Sequence, residues 1–65
     1  MSNDFGNKVK IKLIEMGRSQ SWLIEEVKKT YTGFLDSAYM SKILSGERRP
    51  PEIRKAICDV LGITD

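Results

Sequence analysis

The sequence has 65 residues, of which 40% are hydrophobic and 31% are charged, and it contains one cysteine and no histidine. A chain of this length removes only about 60% of its unfolded surface from water, so we expect one small core and a single domain over residues 1–65. One cysteine cannot close a disulfide within the chain, and without histidine no zinc site of the Cys/His type can form. We therefore expect no metal and no cofactor.

Eleven lysines and arginines against nine acidic residues give a net charge of +2, so only a local basic patch could attract nucleic acid. No run approaches the roughly 18 apolar residues that span a bilayer. Residues 1–4 are too polar for the apolar segment of a signal peptide. We expect a cytoplasmic protein without a membrane partner.

The first predicted element is an amphipathic helix over residues 5–16, with Asn3 or Asp4 as its N-cap and Gly17 as its stop. A second helix is predicted from about Gln20 to Lys29, capped by Ser19. The apolar residues at helical spacing are Phe5, Val9, Leu13 and Met16 in the first helix and Leu23, Val27 and Tyr31 in the second.

Residues 30–33 combine β-branched residues with a glycine, which favours a turn over a helix. We expect Phe34 and Leu35, which follow this turn, to plug the end of the core. Asp36 or Ser37 should cap a third helix that ends at Gly46. Its inward face is predicted to be Met40, Ile43 and Leu44.

The fourth helix is predicted after Pro50 and Pro51, because a proline suits the first position of a helix. Gly62 marks its end, and Ile63 should supply the apolar contact of a Schellman cap. Its apolar stripe is Ile53, Ala56, Ile57, Val60 and Leu61. With no strand pattern in the chain, we predict an all-α fold, a compact bundle of four to five helices.

Nothing in the sequence indicates an enzyme. Glu25 and Glu26 are neighbours on a helix and point in different directions, so they cannot act together on one substrate atom. Cys58 lies beside an apolar stripe and has no imidazole partner, which is typical of a buried structural thiol. No glycine-rich loop is present to hold phosphate, and no small-molecule ligand is indicated.

The outward face of the third helix is distinctive. It carries Ser37, Ala38, Ser41, Lys42 and Ser45. Exposed helix positions usually favour long charged residues, whereas these are mostly small enough for the backbone to approach another surface. The major groove of DNA, about 12 Å wide, admits a helix of this kind.

The chain resembles the lambda-repressor-like helix-turn-helix family, of the Cro and repressor type. The resemblance rests on Arg18-Ser19-Gln20 before an apolar helix, on residues 39–51 (YMSKILSGERRPP), and on a last helix ending Leu61-Gly62-Ile63. It implies a regulator of transcription of phage or mobile-element type, most simply a repressor, that binds double-stranded DNA. The recognition helix would be residues 37–45.

The resemblance also implies the roles of individual residues. Base edges would be read by Ser37, Ala38, Ser41 and Lys42. Phosphates would be contacted by Gln20, Tyr39, Ser45, Arg48 and Arg49, with Lys28 or Lys29 as further candidates. For Tyr39 the alternative is packing beside Phe34.

Three features depart from the family pattern. The turn between the second and third helices is lengthened, Ile24 stands where a small residue is usual, and Trp22 replaces the acidic residue of a capping box. An alternative function, favoured by the low net charge, is a protein-interaction module on the same fold, an antitoxin or adaptor that docks through Trp22, Phe34 and Tyr39. A weak or DNA-induced homodimer is expected to use Trp22, the Phe34-Leu35 loop or the Ile63 end.

Overall fold

In the computed structural model, which describes residues 4–64, four α-helices and no strand are present. The helices are α1 (Asp4–Met16), α2 (Gln20–Lys28), α3 (Ser37–Leu44) and α4 (Pro51–Leu61). The predicted all-α class is confirmed. No helix within the described range combines the length and the apolar character that crossing a membrane requires.

The helix ends follow local signals in the sequence. Ser19 Oγ accepts a hydrogen bond from the Trp22 amide at 3.1 Å, and Asp36 Oδ1 accepts one from the Tyr39 amide at 2.8 Å. Ser19 is the cap that the sequence predicts for α2, and Asp36 is one of the two candidates for α3. Short oxygen-bearing side chains satisfy amides that the first helical turn leaves unpaired. Asp4 is the first residue of α1 and not its cap. The other candidate cap, Asn3, lies outside the described residues.

The C-terminus of α4 has the predicted glycine termination. Gly62 adopts φ 69°, and the Ile63 amide donates to the Cys58 carbonyl at 3.1 Å. Only glycine takes this left-handed conformation without a Cβ penalty, which lets the chain turn back over the helix end. Ile63 then packs against the core, as the pattern predicts.

One apolar core holds the four helices together. Both α1 and α2 pack against α3 and α4. The buried side chains are Val9, Leu13, Leu23, Ile24, Val27, Leu35, Met40, Ile43, Leu44, Ile53, Ile57 and Leu61. Ile24 is therefore part of this core.

Two residues expected in the core are instead on the surface. Met16, predicted on the inward face of α1, is the last residue of that helix and lies beyond the edge of the core, 39% exposed. Phe34 is 69% exposed, so the prediction that it plugs the core is wrong. Its neighbour Leu35 is 2% exposed, and adjacent residues of a non-helical segment point in different directions.

The connector between α2 and α3 comprises residues 29–36 and is anchored at two points. Leu35 enters the core, and Tyr31, half-buried just after α2, covers Gly33 so closely that a Cβ there would lie 2.6 Å from the Tyr31 Cζ. These contacts fix the path of the chain into α3.

We expect Leu35→Ala to lower the free energy of unfolding by about 2–5 kcal/mol, because it removes a fully packed side chain and leaves a cavity. The adjacent substitution Phe34→Ala should change it by less than about 0.5 kcal/mol, since Phe34 is mostly exposed. Urea denaturation followed by circular dichroism measures both. Equal losses in the two variants would contradict the assignment of Leu35 as the anchor of the connector.

Candidate nucleic-acid interface

The outer surface of α3 is formed by small and basic side chains. Met40, Ile43 and Leu44 are buried, so the rest of this eight-residue helix faces outward. The exposed positions are Ser37, Ala38, Ser41 and Lys42, followed by Ser45 at the C-cap. The structure thus brings together, on one face, the residues that the sequence predicts to read bases.

Asp36 caps the start of α3. Its carboxylate accepts the Tyr39 amide, and its backbone is extended, at φ −134° and ψ −178°. Asp36 therefore acts as the cap, as predicted, and places Ser37 and Ala38 as the first two helical residues. Short side chains at this end allow close approach of the helix backbone to another surface.

Gln20 connects α2 to the exposed face of α3. Its Nε2 lies 3.4 Å from Ser41 Oγ, a long hydrogen bond between the first residue of α2 and the middle of α3. The amides of the first turn of a helix carry a partial positive charge. The structure therefore places the carboxamide of Gln20 and the positive end of α2 beside the outward face of α3.

A compact hydrogen-bonded turn ends α3. Gly46 adopts φ 88°, and the Lys42 carbonyl accepts from Ser45 Oγ at 2.9 Å, from the Glu47 amide at 3.0 Å and from the Arg48 amide at 3.2 Å. The hydroxyl proton of Ser45 is engaged in this turn. A phosphate contact by that hydroxyl would require this bond to break, so the side chain of Arg48 is the more available donor.

A groove of about 380 Å³ lies along one side of α3. It is lined by Phe34, Asp36, Ala38, Tyr39, Lys42 and Arg48. The Phe34 and Tyr39 rings are 6.1 Å apart between centroids and inclined by 31°. Tyr39 therefore packs beside Phe34, the second of its two predicted arrangements, while its ring still borders the groove.

The structure separates Arg48 from Arg49. Arg48 lines the groove with Lys42, whereas Arg49 lines a different groove along α4, of about 460 Å³, together with Arg54 and Lys55. Both side chains are exposed. The sequence predicts one phosphate-binding pair, but only Arg48 lies in the groove beside α3.

The two basic residues at the end of α2 also differ. Lys29 Nζ lies 2.9 Å from the Glu26 carboxylate, and its amide caps the helix. Lys28 is exposed and takes part in no ion pair formed among residues 4–64. Lys28 and Lys29 are the two further candidates for a phosphate contact. Of these, Lys28 therefore has the more accessible charge.

The sequence allows Phe34 two roles, a plug of the core and a member of an aromatic docking patch with Trp22 and Tyr39. In the structure Phe34 is exposed beside Tyr39, so it does not plug the core. Trp22 is half-buried, with the Arg18 guanidinium 5.2 Å from the centre of its ring. The cation–π contact covers one face of the indole.

A further groove lies away from α3. A groove of about 650 Å³ between the connector and α4 includes Glu52, Lys55 and Asp59, and Lys55 pairs with Asp59 at 3.6 Å. It contains no residue of α3. Among the described residues, no cluster of three Cys, Asp or Glu side chains could hold a metal ion.

Comparison of the chain with models of protein families, with curated proteins and with solved structures gives no match. The surface around α3 is therefore the feature of the molecule that indicates a function.

Proposed function

We propose that this protein is a sequence-specific DNA-binding regulator of transcription, without catalytic activity, in which α2 and α3 form a helix-turn-helix with a lengthened turn. The observation that carries the proposal is the exposed face of α3, built from small side chains and one lysine, with the Gln20 carboxamide seated against it. A helix with such a face fits the major groove of double-stranded DNA. We propose repression as its mode of action.

Base contacts come from the exposed face of α3. Lys42 donates to guanine O6 or N7, Ser37 and Ser41 exchange hydrogen bonds with base edges, and Ala38 contacts a thymine methyl. Ser41 Oγ accepts a hydrogen bond from Gln20, which links this face of α3 to α2.

Phosphate contacts flank this face. Gln20 binds a phosphate oxygen with the help of the positive end of α2, and Arg48 binds one from the turn after α3. Tyr39 and Ser45 border the same surface. Arg49 and Lys28 contact more distant phosphates.

A second candidate function is docking of a protein partner through an aromatic patch, as an adaptor or antitoxin does. The observation that favours it is Phe34, 69% exposed and packed beside Tyr39. Trp22, the third residue expected in this patch, is half-buried beneath Arg18 and offers less surface.

Selective binding requires two copies. A single small module buries only about 600–1,000 Å² on DNA, which seldom gives tight binding. A weak or DNA-induced homodimer doubles the contacts on an inverted repeat whose half-sites lie about 10 base pairs apart.

Mobility-shift and footprinting assays on DNA flanking the protein's own gene test the proposal, because small regulators of this type commonly act on their own promoters. We expect protection of two half-sites. Binding to a protein partner without protection of any DNA sequence would contradict the regulator and favour the adaptor.

Lys42→Ala should cost about 1–3 kcal/mol on the preferred site and relax the preference at one base position, because the donor to a base edge is lost. Binding titrations on a set of single-base operator variants measure both effects. Lys8→Ala, at an exposed lysine on α1 whose Nζ lies near the Thr64 carbonyl, is the matched control and should leave binding unchanged. An equal loss on every DNA sequence would make Lys42 a phosphate contact.

Replacing Arg48 and Arg49 together by alanine should weaken specific and nonspecific DNA alike. The slope of log K against log salt should fall by about 2 units per monomer, since each phosphate contact contributes about 0.9. Arg48→Ala alone should account for about half of this change. A slope equal to that of the parent protein would show that both arginines face solvent when DNA is bound.

A further inference from the structure

The groove beside α3 has an apolar part that is open to the surface. Its apolar lining consists of Phe34, Ala38 and Tyr39, and the centroids of the two rings lie 6.1 Å apart. Phe34 is 69% exposed, although it directly adjoins the outward face of α3. An exposed apolar patch that is rimmed by polar side chains marks an interaction site. This part of the groove therefore fits a small apolar group of a ligand that contacts α3.

Charged side chains complete the lining of the same groove. They are Asp36, Lys42 and Arg48, and none of them forms an ion pair with another of the residues 4–64. The carboxylate of Asp36 accepts the Tyr39 amide through Oδ1, which leaves its second oxygen to accept from a ligand. The groove therefore offers one hydrogen-bond acceptor and two cationic donors beside its apolar part.

One kind of base pair matches all three parts of this lining. In the major groove a C·G pair presents the N4 amino donor of cytosine, which a carboxylate accepts, and the O6 and N7 acceptors of guanine, to which lysine donates. Only a methyl group at C5 of the cytosine is then needed to fill the apolar part. A T·A pair has that methyl group, but it presents an acceptor, O4, in place of the cytosine amino group and an amino donor on its purine. The carboxylate of Asp36 and the cation of Lys42 therefore disfavour T·A.

We propose that this groove reads a base pair between 5-methylcytosine and guanine in double-stranded DNA. The methyl group packs against Phe34 and Ala38, the N4 amino group donates to Asp36, and Lys42 donates to the guanine. Arg48 neutralises a neighbouring phosphate. The inference rests on the proposed DNA-binding function and deepens it, because it assigns the methyl contact of Ala38 to 5-methylcytosine and makes DNA binding depend on cytosine methylation.

Selection from two pools of random DNA duplexes tests the inference without knowledge of the operator. One pool is synthesised with 5-methyl-dCTP and the other with dCTP. We expect the protein to retain the methylated pool preferentially and to enrich sequences that share a C·G position. On one enriched duplex, cytosine in place of 5-methylcytosine at that position should weaken binding about fourfold, the effect of burying one methyl group. A T·A pair there should weaken binding about tenfold.

Two variants separate the carboxylate from the apolar part of the groove. Asp36→Asn keeps the helix cap, because asparagine caps as well as aspartate, but it removes the charge, so the preference over T·A should fall below about twofold. Phe34→Ala should reduce the preference for 5-methylcytosine over cytosine to less than about twofold. Ile14→Ala, at a residue of α1 that is 78% exposed, is the matched control and should leave both preferences unchanged. Fluorescence anisotropy titrations measure the affinities, and circular dichroism checks that each variant is folded.

The outcomes distinguish this inference from the proposed function. Equal binding of duplexes with cytosine and 5-methylcytosine, or a preference of the parent protein for T·A, would overturn the methylcytosine site and leave DNA binding by α3 standing. Retention of neither pool would overturn the DNA-binding function together with the site. A methyl preference that Phe34→Ala leaves unchanged would also overturn the site, and would leave the aromatic surface to a protein partner.

Discussion

The burial of Met40, Ile43 and Leu44 determines the direction of every other side chain on α3. This helix has only eight residues, and three of them are needed by the one small core that the chain forms. The remaining positions must face outward, where their small size leaves the helix backbone accessible. The proposed DNA surface is therefore a consequence of core packing. A change that rotates α3 about its axis would both disrupt the proposed base-reading face and destabilise the fold.

The surroundings of α3 fix its position further. Asp36 caps its start, the turn around Gly46 closes its end, and Gln20 joins its exposed face to α2. Leu35 anchors the connector of residues 29–36 to the core, just before the cap of α3. The same connector exposes Phe34 beside Tyr39. The aromatic surface proposed for a protein partner therefore adjoins the face of α3 proposed for DNA.

The sequence predicts most of the fold because its helix signals are local. The caps at Ser19 and Asp36 and the glycine at position 62 act within a few residues, and periodic apolar residues identify the buried faces. The errors arise where the burial of a side chain depends on contacts with residues that are distant in the sequence. Phe34 and Leu35 are adjacent apolar residues in the connector. Which of the two is buried depends on the path of the connector in the folded protein. The separation of Arg48 from Arg49 likewise depends on how the loop meets α4.

Amide chemical-shift mapping tests the central claim most directly. The ¹⁵N-labelled protein is titrated with the duplex that it protects in footprinting, or with DNA flanking its own gene. The account predicts that the largest changes fall on Ser37, Ala38, Ser41, Lys42 and Gln20, the residues of the α3 face and the start of α2. Changes confined to α4 or to the outer face of α1, with the α3 amides unmoved at saturation, would contradict it.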